Sequence, residues 1–474
     1  MVVGIPKFFG TAGIRGRYLD VITPDLAFKI GLSYGTYLGH KGKVIVGHDV
    51  RLTSPLLKEL ITSGFIASGL DVYDVGLAPI SITGYAIKKL KLSGGIYVTA
   101  SHNPPEDNGF KIFNSLGSEL LTKEEEQLED ILLEGKFSYV EWNHVGKRGH
   151  VGFILKDYVE DLVNALRPDK VKYIPKIVVD AVNGAAGAYT PTVLRRLGVK
   201  VLALNTHPDG TFPSRMPEPR PDVLEPMMKI MDGAGYDMLY AHDGDGDRLA
   251  VLIRGKGFIK QDRVIALFAY HKLLDKKGYI VVSVDCGNAV KEVVESMGGK
   301  LVIYRLGKTY EKALELGLNN VLLAAEPWKF IDPKWGLWAD GIYQATYLTK
   351  IIMEEGKPLH ELLKQVPDYP QARISVFLDS NRFKYEIAGK AIEYLGSKAP
   401  SSATLIEIDG LRVNYEDNSW ILVRPSGTEP KIRIYCESQK YDKVRSMVNE
   451  MVSVINKLAK ERGVKTHVEG TILP

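Results

Sequence analysis

Six consecutive residues, 243–248, read Asp-Gly-Asp-Gly-Asp-Arg. Carboxylates at every second position project from the same side of an extended or looping backbone. Asp243, Asp245 and Asp247 can therefore converge on one point. Three negative charges that close need a cation, and hard oxygen ligands with open positions suit Mg²⁺. The apolar run over 236–241, with Met238, Leu239 and Tyr240, reads as a strand. The carboxylates then sit at a strand's C-terminal end, where open α/β sheets place ligands. An EF-hand loop also begins Asp-x-Asp-x-Asp, but it needs Gly at its sixth position and Glu at its twelfth. Arg248 and Arg254 stand there instead, which argues against a calcium hand. An acidic surface turn is the plainer reading of Asp and Gly; the even spacing directly after an apolar run favours the metal.

Three more loops carry the marks of phosphate chemistry. Thr99-Ala-Ser-His-Asn-Pro104 follows a strand-like run ending at Val98. Ser101 is a candidate nucleophile there, although Ser-x-Asn-Pro alone is more often a capped turn. Beside the Asp triplet, a phosphorylated Ser101 would supply a further anionic oxygen to the metal. Arg424-Pro-Ser-Gly-Thr-Glu-Pro-Lys-Ile-Arg433 offers the hydroxyls of Ser426 and Thr428. The backbone around Gly427 can turn its N–H groups toward an anion. Arg424 can grip a phosphate bidentately, and Arg433 flanks the loop. Phe9-Gly-Thr-Ala-Gly-Ile-Arg-Gly16 has three glycines that allow close backbone approach, and Arg15 could reach a phosphate.

The elements that must position these loops repeat. A buried-strand run at 43–47 is followed by Ser54-Pro55, which predicts an N-cap with Pro at the first helical position. Leu56, Leu57, Leu60, Ile61 and Phe65 give a helical stripe, and 71–75 is the next strand. The same order recurs from 176, with Thr190-Pro191 as the cap and a strand at 199–204. It recurs again from 279, with Asn288 as the cap and a strand at 300–304. Strand–helix–strand units imply parallel pairing. The expected architecture is three similar mixed-sheet α/β domains, at 1–155, 156–255 and 256–370, followed by a smaller α+β domain at 371–474. In the last, strand runs at 375–378, 420–423 and 432–436 precede a helical pattern at 441–460.

Composition narrows the function classes. The chain has 474 residues, with 61 basic and 57 acidic side chains for a formal charge of +4. That balance gives no case for nucleic-acid or membrane-surface partners. No apolar run approaches the length of a membrane span, and the N-terminus carries no secretory pattern. Two cysteines, Cys286 and Cys436, form neither a disulfide framework nor a CxxC metal site. A cytoplasmic protein with a small-molecule ligand is the expectation; oligomeric state is left open.

The four loops, in this order, resemble those of the α-D-phosphohexomutase family, whose members include phosphoglucomutase, phosphomannomutase and phosphoglucosamine mutase. The resemblance covers essentially the whole chain. It implies a Mg²⁺-dependent interconversion of hexose 1-phosphate and hexose 6-phosphate through a phosphoserine and a hexose 1,6-bisphosphate, which also primes the enzyme. By resemblance, Ser101 carries the phosphoryl group and joins Asp243, Asp245 and Asp247 around the metal. Arg248 holds the phosphoserine environment, and His102 matches the histidine beside it. Arg15 and Lys111, the latter in Asn108-Gly-Phe-Lys111, match positions of electrostatic and acid–base work. Arg424, Ser426, Gly427 and Thr428 would bind the phosphate that is not transferred. One loop departs from the pattern. The family's Gly-Glu-x-Ser-Gly-His sugar loop reads Ala-Ala-Glu-Pro-Trp-Lys-Phe over 324–330. Glu326 remains, while Trp328, Lys329 and Phe330 replace Ser, Gly and His. Trp328 and Phe330 could pack a local core or stack on sugar, and Lys329 could stand in for the histidine. That departure leaves the preferred sugar open. It also motivates two other functions, a non-catalytic sugar-phosphate sensor and a sugar-phosphate phosphatase.

Overall fold

The computed structural model describes residues 8–10, 13–427 and 429–474. It divides into two compact units. The first comprises residues up to Gln261 with Ala313–Ala324 and Trp328–Lys364; the second comprises Asp262–Lys312, Ala325–Pro327 and Gln365–Pro474.

Two mixed sheets build most of the first unit. One contains β1 (Ile14–Arg17), β2 (Lys43–His48), β3 (Asp71–Leu77), β4 (Gly94–Val98), β5 (Asp107–Asn114) and β6 (Arg148–His150), in the order β1-β5-β4-β2-β3-β6. The other contains β7 (Lys176–Asp180), β8 (Lys200–Leu204), β9 (Met238–His242), β10 (Leu249–Ile253) and β11 (Gly257–Phe258), in the order β11-β10-β9-β7-β8. The second unit holds the parallel pair β12 (Tyr279–Ser283) and β13 (Lys300–Tyr304). Two further strands, β14 (Val321–Glu326) and β15 (Lys329–Ile331), follow in the chain. The C-terminal part of the second unit has β16 (Gln371–Leu378), β17 (Thr404–Ile406), β18 (Leu411–Asn414), β19 (Trp420–Pro425), β20 (Lys431–Glu437) and β21 (Thr466–Leu473). Its strands pair antiparallel in the order β17-β18-β19-β20-β16-β21. Three mixed α/β regions and an antiparallel α+β region are the expected fold class.

The repeat is visible in the register. Lys43 pairs with Asp71, Lys176 with Lys200 and Tyr279 with Lys300, each opening a parallel pair. In the first two copies a third strand, β4 or β9, joins the other side of the pair in parallel and then reverses into an antiparallel neighbour. The reversal after β4 is the Ser101 loop, and the reversal after β9 is the Asp triplet. Crossover helices cover the sheets because their apolar residues recur at helical spacing. In the helix Ser54–Ala67, for example, Leu57, Ile61 and Phe65 are fully buried.

The helix starts differ from expectation in a consistent way. Thr53, Tyr189 and Gly287 occupy the N-cap positions, so Ser54, Thr190 and Asn288 are first helical residues. The side-chain hydroxyls of Ser54 and Thr190, and the main-chain N–H of Asn288, serve buried partners instead. Ser54 Oγ donates to Asp49 Oδ1 at 2.6 Å, Thr190 Oγ1 lies 2.8 Å from His242 Nε2, and Asn288 N donates to Glu437 Oε1 at 2.8 Å. An unpaired buried carboxylate costs more than an uncapped, partly solvated helix start.

In the C-terminal region the helices Lys384–Lys398 and Tyr441–Glu461 bury one stripe each against the antiparallel sheet, with Ile387, Ala391, Val448 and Ile455 in one apolar cluster. Among the described residues no helix is long and apolar enough to cross a membrane.

Candidate active site

Ser101 and the Asp triplet meet in the first unit. Ser101 adopts φ +54°, in the left-handed region that a side chain rarely occupies, and three contacts hold it there. Its N–H donates to Thr99 Oγ1 at 2.7 Å, and Thr99 Oγ1 donates to Asp49 Oδ2 at 2.7 Å. Its carbonyl accepts from Arg51 Nη2 at 3.0 Å. The same guanidinium donates to the carbonyls of Asn103 (2.6 Å), Asp107 (2.9 Å) and Pro104. Arg51 is itself fully buried and paired with Asp49 at 3.1 Å. One cation thus gathers the whole 101–107 loop by its carbonyl oxygens.

So held, Ser101 Oγ donates to Asp243 Oδ2 at 2.7 Å. His102 Nδ1 lies 3.4 Å from Ser101 Oγ. The 243–248 loop comes close because two glycines permit it. A Cβ on Gly244 would meet Ser101 O at 2.7 Å, and Gly246 turns the chain at φ +78°. Asp243 Oδ1 accepts the N–H groups of Gly246 (3.1 Å) and Arg248 (3.2 Å), which curls the loop around the carboxylates.

Asp243, Asp245 and Asp247 are all buried, each offering an oxygen within 4.8 Å of the others. Asp245 Oδ1 and Asp247 Oδ1 have no hydrogen-bond partner. Such orphaned, charged acceptors are costly unless something else takes them. Burial, and then the charges of Asp245 and Asp247, push the Asp243 carboxyl well above the carboxylate range. Burial alone would also raise Asp247, but Lys111, Lys329 and Arg248 outweigh it and hold that carboxyl well below its usual range. All-oxygen donors, unmet lone pairs and an excess of negative charge fit a small hard divalent cation such as Mg²⁺. Among the described residues no other acidic, His or Cys cluster has this geometry.

The cations around the triplet come from separate elements. Lys111, on β5, is fully buried with Nζ 2.8 Å from Asp247 Oδ2 and 3.5 Å from Asp245 Oδ2. Burial works against its charge, but Asp247, Asp245 and Glu119 prevail and raise it above the usual lysine value. Lys329, on β15, lies 3.0 Å from Asp247 Oδ2. Arg248 Nη1 binds Glu218 at 3.1 Å, and its Nε lies 3.8 Å from Asp243. Arg15, on β1 opposite Gly109 of β5, has a buried Nε without a hydrogen-bond partner.

The flanking aromatics of the departing loop are in packing roles. Trp328 lies against the apolar cluster of Val178, Leu239 and Leu252, with Arg248 5.9 Å from its ring centre. Phe330 is buried and stacks on Tyr343 at 5.7 Å.

Other residues singled out in the sequence lie in the second unit. Glu326 is nearly buried and accepts from Gly307 N (2.7 Å) and Thr309 Oγ1 (3.4 Å). Arg424 and Arg433 face each other across β19 and β20. Like charges directly opposite are unfavourable in a sheet, and acidic side chains lie near both arginines, Asp409 3.0 Å from Arg424 and Glu429 3.8 Å from Arg433. Ser426 N donates to Lys431 O at 2.9 Å, which folds the loop back beside this pair, with Gly427 at its tip. Thr428 lies outside the described residues, as do Thr11 and Ala12 of the glycine-rich loop.

Sequence reasoning missed Asp49, Arg51, Thr99 and Glu218. A signal existed for two of them: Asp49-Val-Arg51 directly follows a buried strand with opposite charges two apart, a spacing that lets a short turn pair them.

Comparison with known proteins agrees with this geometry. The domain profiles of phosphoglucomutase/phosphomannomutase match in turn: alpha/beta/alpha domain I over residues 6–139, domain II over 156–256, domain III over 260–369 and the C-terminal domain over 348–454. A phosphopentomutase of Thermococcus kodakarensis is 38% identical over 460 residues, covering 96% of this chain and 99% of the relative. A probable phosphoglucosamine mutase of Methanopyrus kandleri is 35% identical over 459 residues, with the same coverage. A crystal structure of a phosphoglucomutase/phosphomannomutase family protein from Burkholderia thailandensis superposes with a TM-score of 0.82 at 27% identity, covering 97% of this chain and 99% of that one. With relatives matched nearly end to end, the chain belongs to the α-D-phosphohexomutase family and is a mutase.

Proposed function

We propose that this mutase moves a phosphoryl group between two oxygens of one sugar through a phosphorylated Ser101 and a sugar bisphosphate, with Mg²⁺ at Asp243, Asp245 and Asp247. The observation that carries the reading is the 2.7 Å contact of Ser101 Oγ with a carboxylate of the buried triplet. A bound Mg²⁺ would supply charge neutralisation on the phosphoryl oxygens. The chain's own residues do the rest. Arg51 and Thr99 fix the nucleophile. Lys111, Arg248 and Arg15 add positive charge to a water-poor site, where it counts most. In the first half-reaction the P–Oγ bond of phosphoserine breaks as a bond from phosphorus to a sugar oxygen forms. The attacking sugar hydroxyl gives up its proton in that step. In the second, the bond from the other phosphorus to its sugar oxygen breaks as a bond to Ser101 Oγ forms, and the freed sugar oxygen takes a proton back. Arg424, Ser426, Gly427, Thr428 and Arg433 bind the phosphate that is not reacting. A bisphosphate is required as primer because a serine without phosphate cannot start the cycle.

The sugar is a monosaccharide phosphate. Glucose, mannose and glucosamine phosphates are candidates by family, and the 38%-identical phosphopentomutase adds a pentose phosphate. The loss of the usual Ser-Gly-His triplet at 328–330 supports a changed sugar preference. Glu326 and Lys329 are the polar side chains left in that loop to read hydroxyls. Domain boundaries at 1–155, 156–255, 256–370 and 371–474, and a cytoplasmic location, complete the reading. The test is an assay with Mg²⁺ and a trace of the matching bisphosphate. It runs the 1-phosphates of glucose, mannose, glucosamine and ribose in parallel, with intact-mass measurement of Ser101 phosphorylation. Turnover of one sugar is the expected result. Phosphorylated Ser101 with no isomerisation of any of the four would overturn it, and steady phosphate release would mark a phosphatase.

A further inference from the structure

Asp247 is bound asymmetrically. Its Oδ2 is taken by two ammonium groups, Lys111 Nζ at 2.8 Å and Lys329 Nζ at 3.0 Å, while its Oδ1 is buried without a hydrogen-bond partner. Lys329 reaches this position because its backbone is stitched to the metal loop. An antiparallel bridge joins Arg248 to Lys329, and Leu249 N donates to Trp328 O at 3.0 Å. Trp328 adopts φ +68° at the turn into that bridge, and the side chains on either side of Lys329 are engaged in packing. Of three consecutive residues, one is aimed at a carboxylate.

We infer that Lys329 is a positioning residue for the metal site, restricting Asp247 to ligation through Oδ1 alone. This rests on the reading of the Asp triplet as a metal site. A carboxylate whose second oxygen carries two ammonium groups cannot close on an ion bidentately. Ca²⁺ takes six to eight oxygens and readily uses bidentate carboxylates, whereas Mg²⁺ and Mn²⁺ need fewer ligands in stricter geometry. Lys329 therefore biases the site toward the smaller ions, and its positive charge lowers affinity for every divalent cation.

The test is direct metal binding to the full-length protein, measured as loss of the free Mn²⁺ electron-paramagnetic signal and by Ca²⁺ competition against it. Lys329→Met should tighten Mn²⁺ several-fold and Ca²⁺ more, so that the preference for Mn²⁺ falls by about ten-fold. Lys329→Arg keeps the charge and the donors and should stay near wild type. Lys329→Gln, uncharged but able to donate, should lose the preference as well and serves where the Met variant does not fold. Asp245→Asn is the control. If it abolishes Mn²⁺ binding while Lys329→Met and Lys329→Gln leave the Mn²⁺/Ca²⁺ ratio unchanged, the role of Lys329 is overturned and the metal site stands. If Asp245→Asn leaves Mn²⁺ binding intact, the metal site falls and the inference with it.

Discussion

Two buried clusters of charge, one in each unit, make an instructive pair. In the first unit, Asp243, Asp245 and Asp247 crowd together and two of their oxygens are left without a donor. In the second unit, Asp285 and Glu437 are equally deep, yet their oxygens are met. Asp285 accepts from Ser283 Oγ at 2.5 Å and Arg373 Nη1 at 3.1 Å. Glu437 accepts from Asn288 N at 2.8 Å, Trp420 Nε1 at 3.1 Å and Gln371 Nε2 at 3.4 Å. Arg412 closes the group, donating to the carbonyls of Val284 and Cys286 at 2.7 Å each, with its guanidinium 3.9 Å from the Trp420 ring centre. Both clusters bury acid; the oxygens of Asp285 and Glu437 are met within the protein, with only Asp262 Oδ1 beside them lacking a donor, whereas the triplet leaves two oxygens unmet around one point. Burial of charge alone does not mark a functional site. Unmet acceptors beside a candidate nucleophile are the stronger mark.

The contrast can be broken most sharply at the nucleophile. Ser101→Ala should lower kcat for the mutase by about 10³-fold or more while thermal unfolding stays near wild type. Retained turnover would remove Ser101 from the chemistry. Asp245→Asn should lower kcat/KM by about 10²-fold at a fixed Mg²⁺ concentration and raise the melting temperature of metal-free protein, because a repelling charge is lost. A lower melting temperature would mean the triplet is structural after all. In the second unit the pattern should invert. Asp285→Ala removes the shorter carboxylate contact of buried Arg373 and should cost about 3–5 kcal/mol in urea unfolding, a loss seen in stability before it is seen in the chemical step.

The smallest effect expected is a pH dependence. Burial, and then the charge of Asp262, push the Glu437 carboxyl up to about 7. Its folded value lies above its unfolded one, so the folded state holds a proton that the unfolded chain releases. That contribution is complete below about pH 4.3 and fades as pH rises through about 7. Glu437→Gln keeps the acceptor for Asn288 and Trp420 without the charge. It should therefore flatten the stability profile between about pH 5 and 8, changing the difference from wild type by roughly 3 kcal/mol. Parallel profiles for the two proteins would show that Glu437 does not titrate there.

The sequence was most legible where the physics is local. The repeats could be read because a short apolar run, a Pro near a helix start and a stripe at helical spacing are each set by neighbours in the chain. The Asp triplet was legible for the same reason, its geometry following from alternation over five residues. Arg51 was not. Its importance lies in four carbonyls between residues 101 and 107, about fifty positions away, and backbone oxygens leave no trace in residue type. The helix caps slipped by one residue because Asp49, five residues before Ser54, and the remote His242 and Glu437 draw polar groups inward. Lys329 carried a hint only through what it replaced; its contact with Asp247 depends on a bridge between strands far apart in sequence.

The carbonyl clamp built by Arg51 has a consequence for the rhythm of catalysis. Fixing one backbone residue costs roughly 1–2 kcal/mol of entropy. A free loop of this length would lose several times that amount at each encounter with substrate, and the loss would weaken binding every cycle. Here the loop is immobilised once, when the polypeptide folds. On the proposed mechanism the sugar phosphate meets a serine that has already surrendered its freedom, and little of its binding energy is diverted into ordering the enzyme.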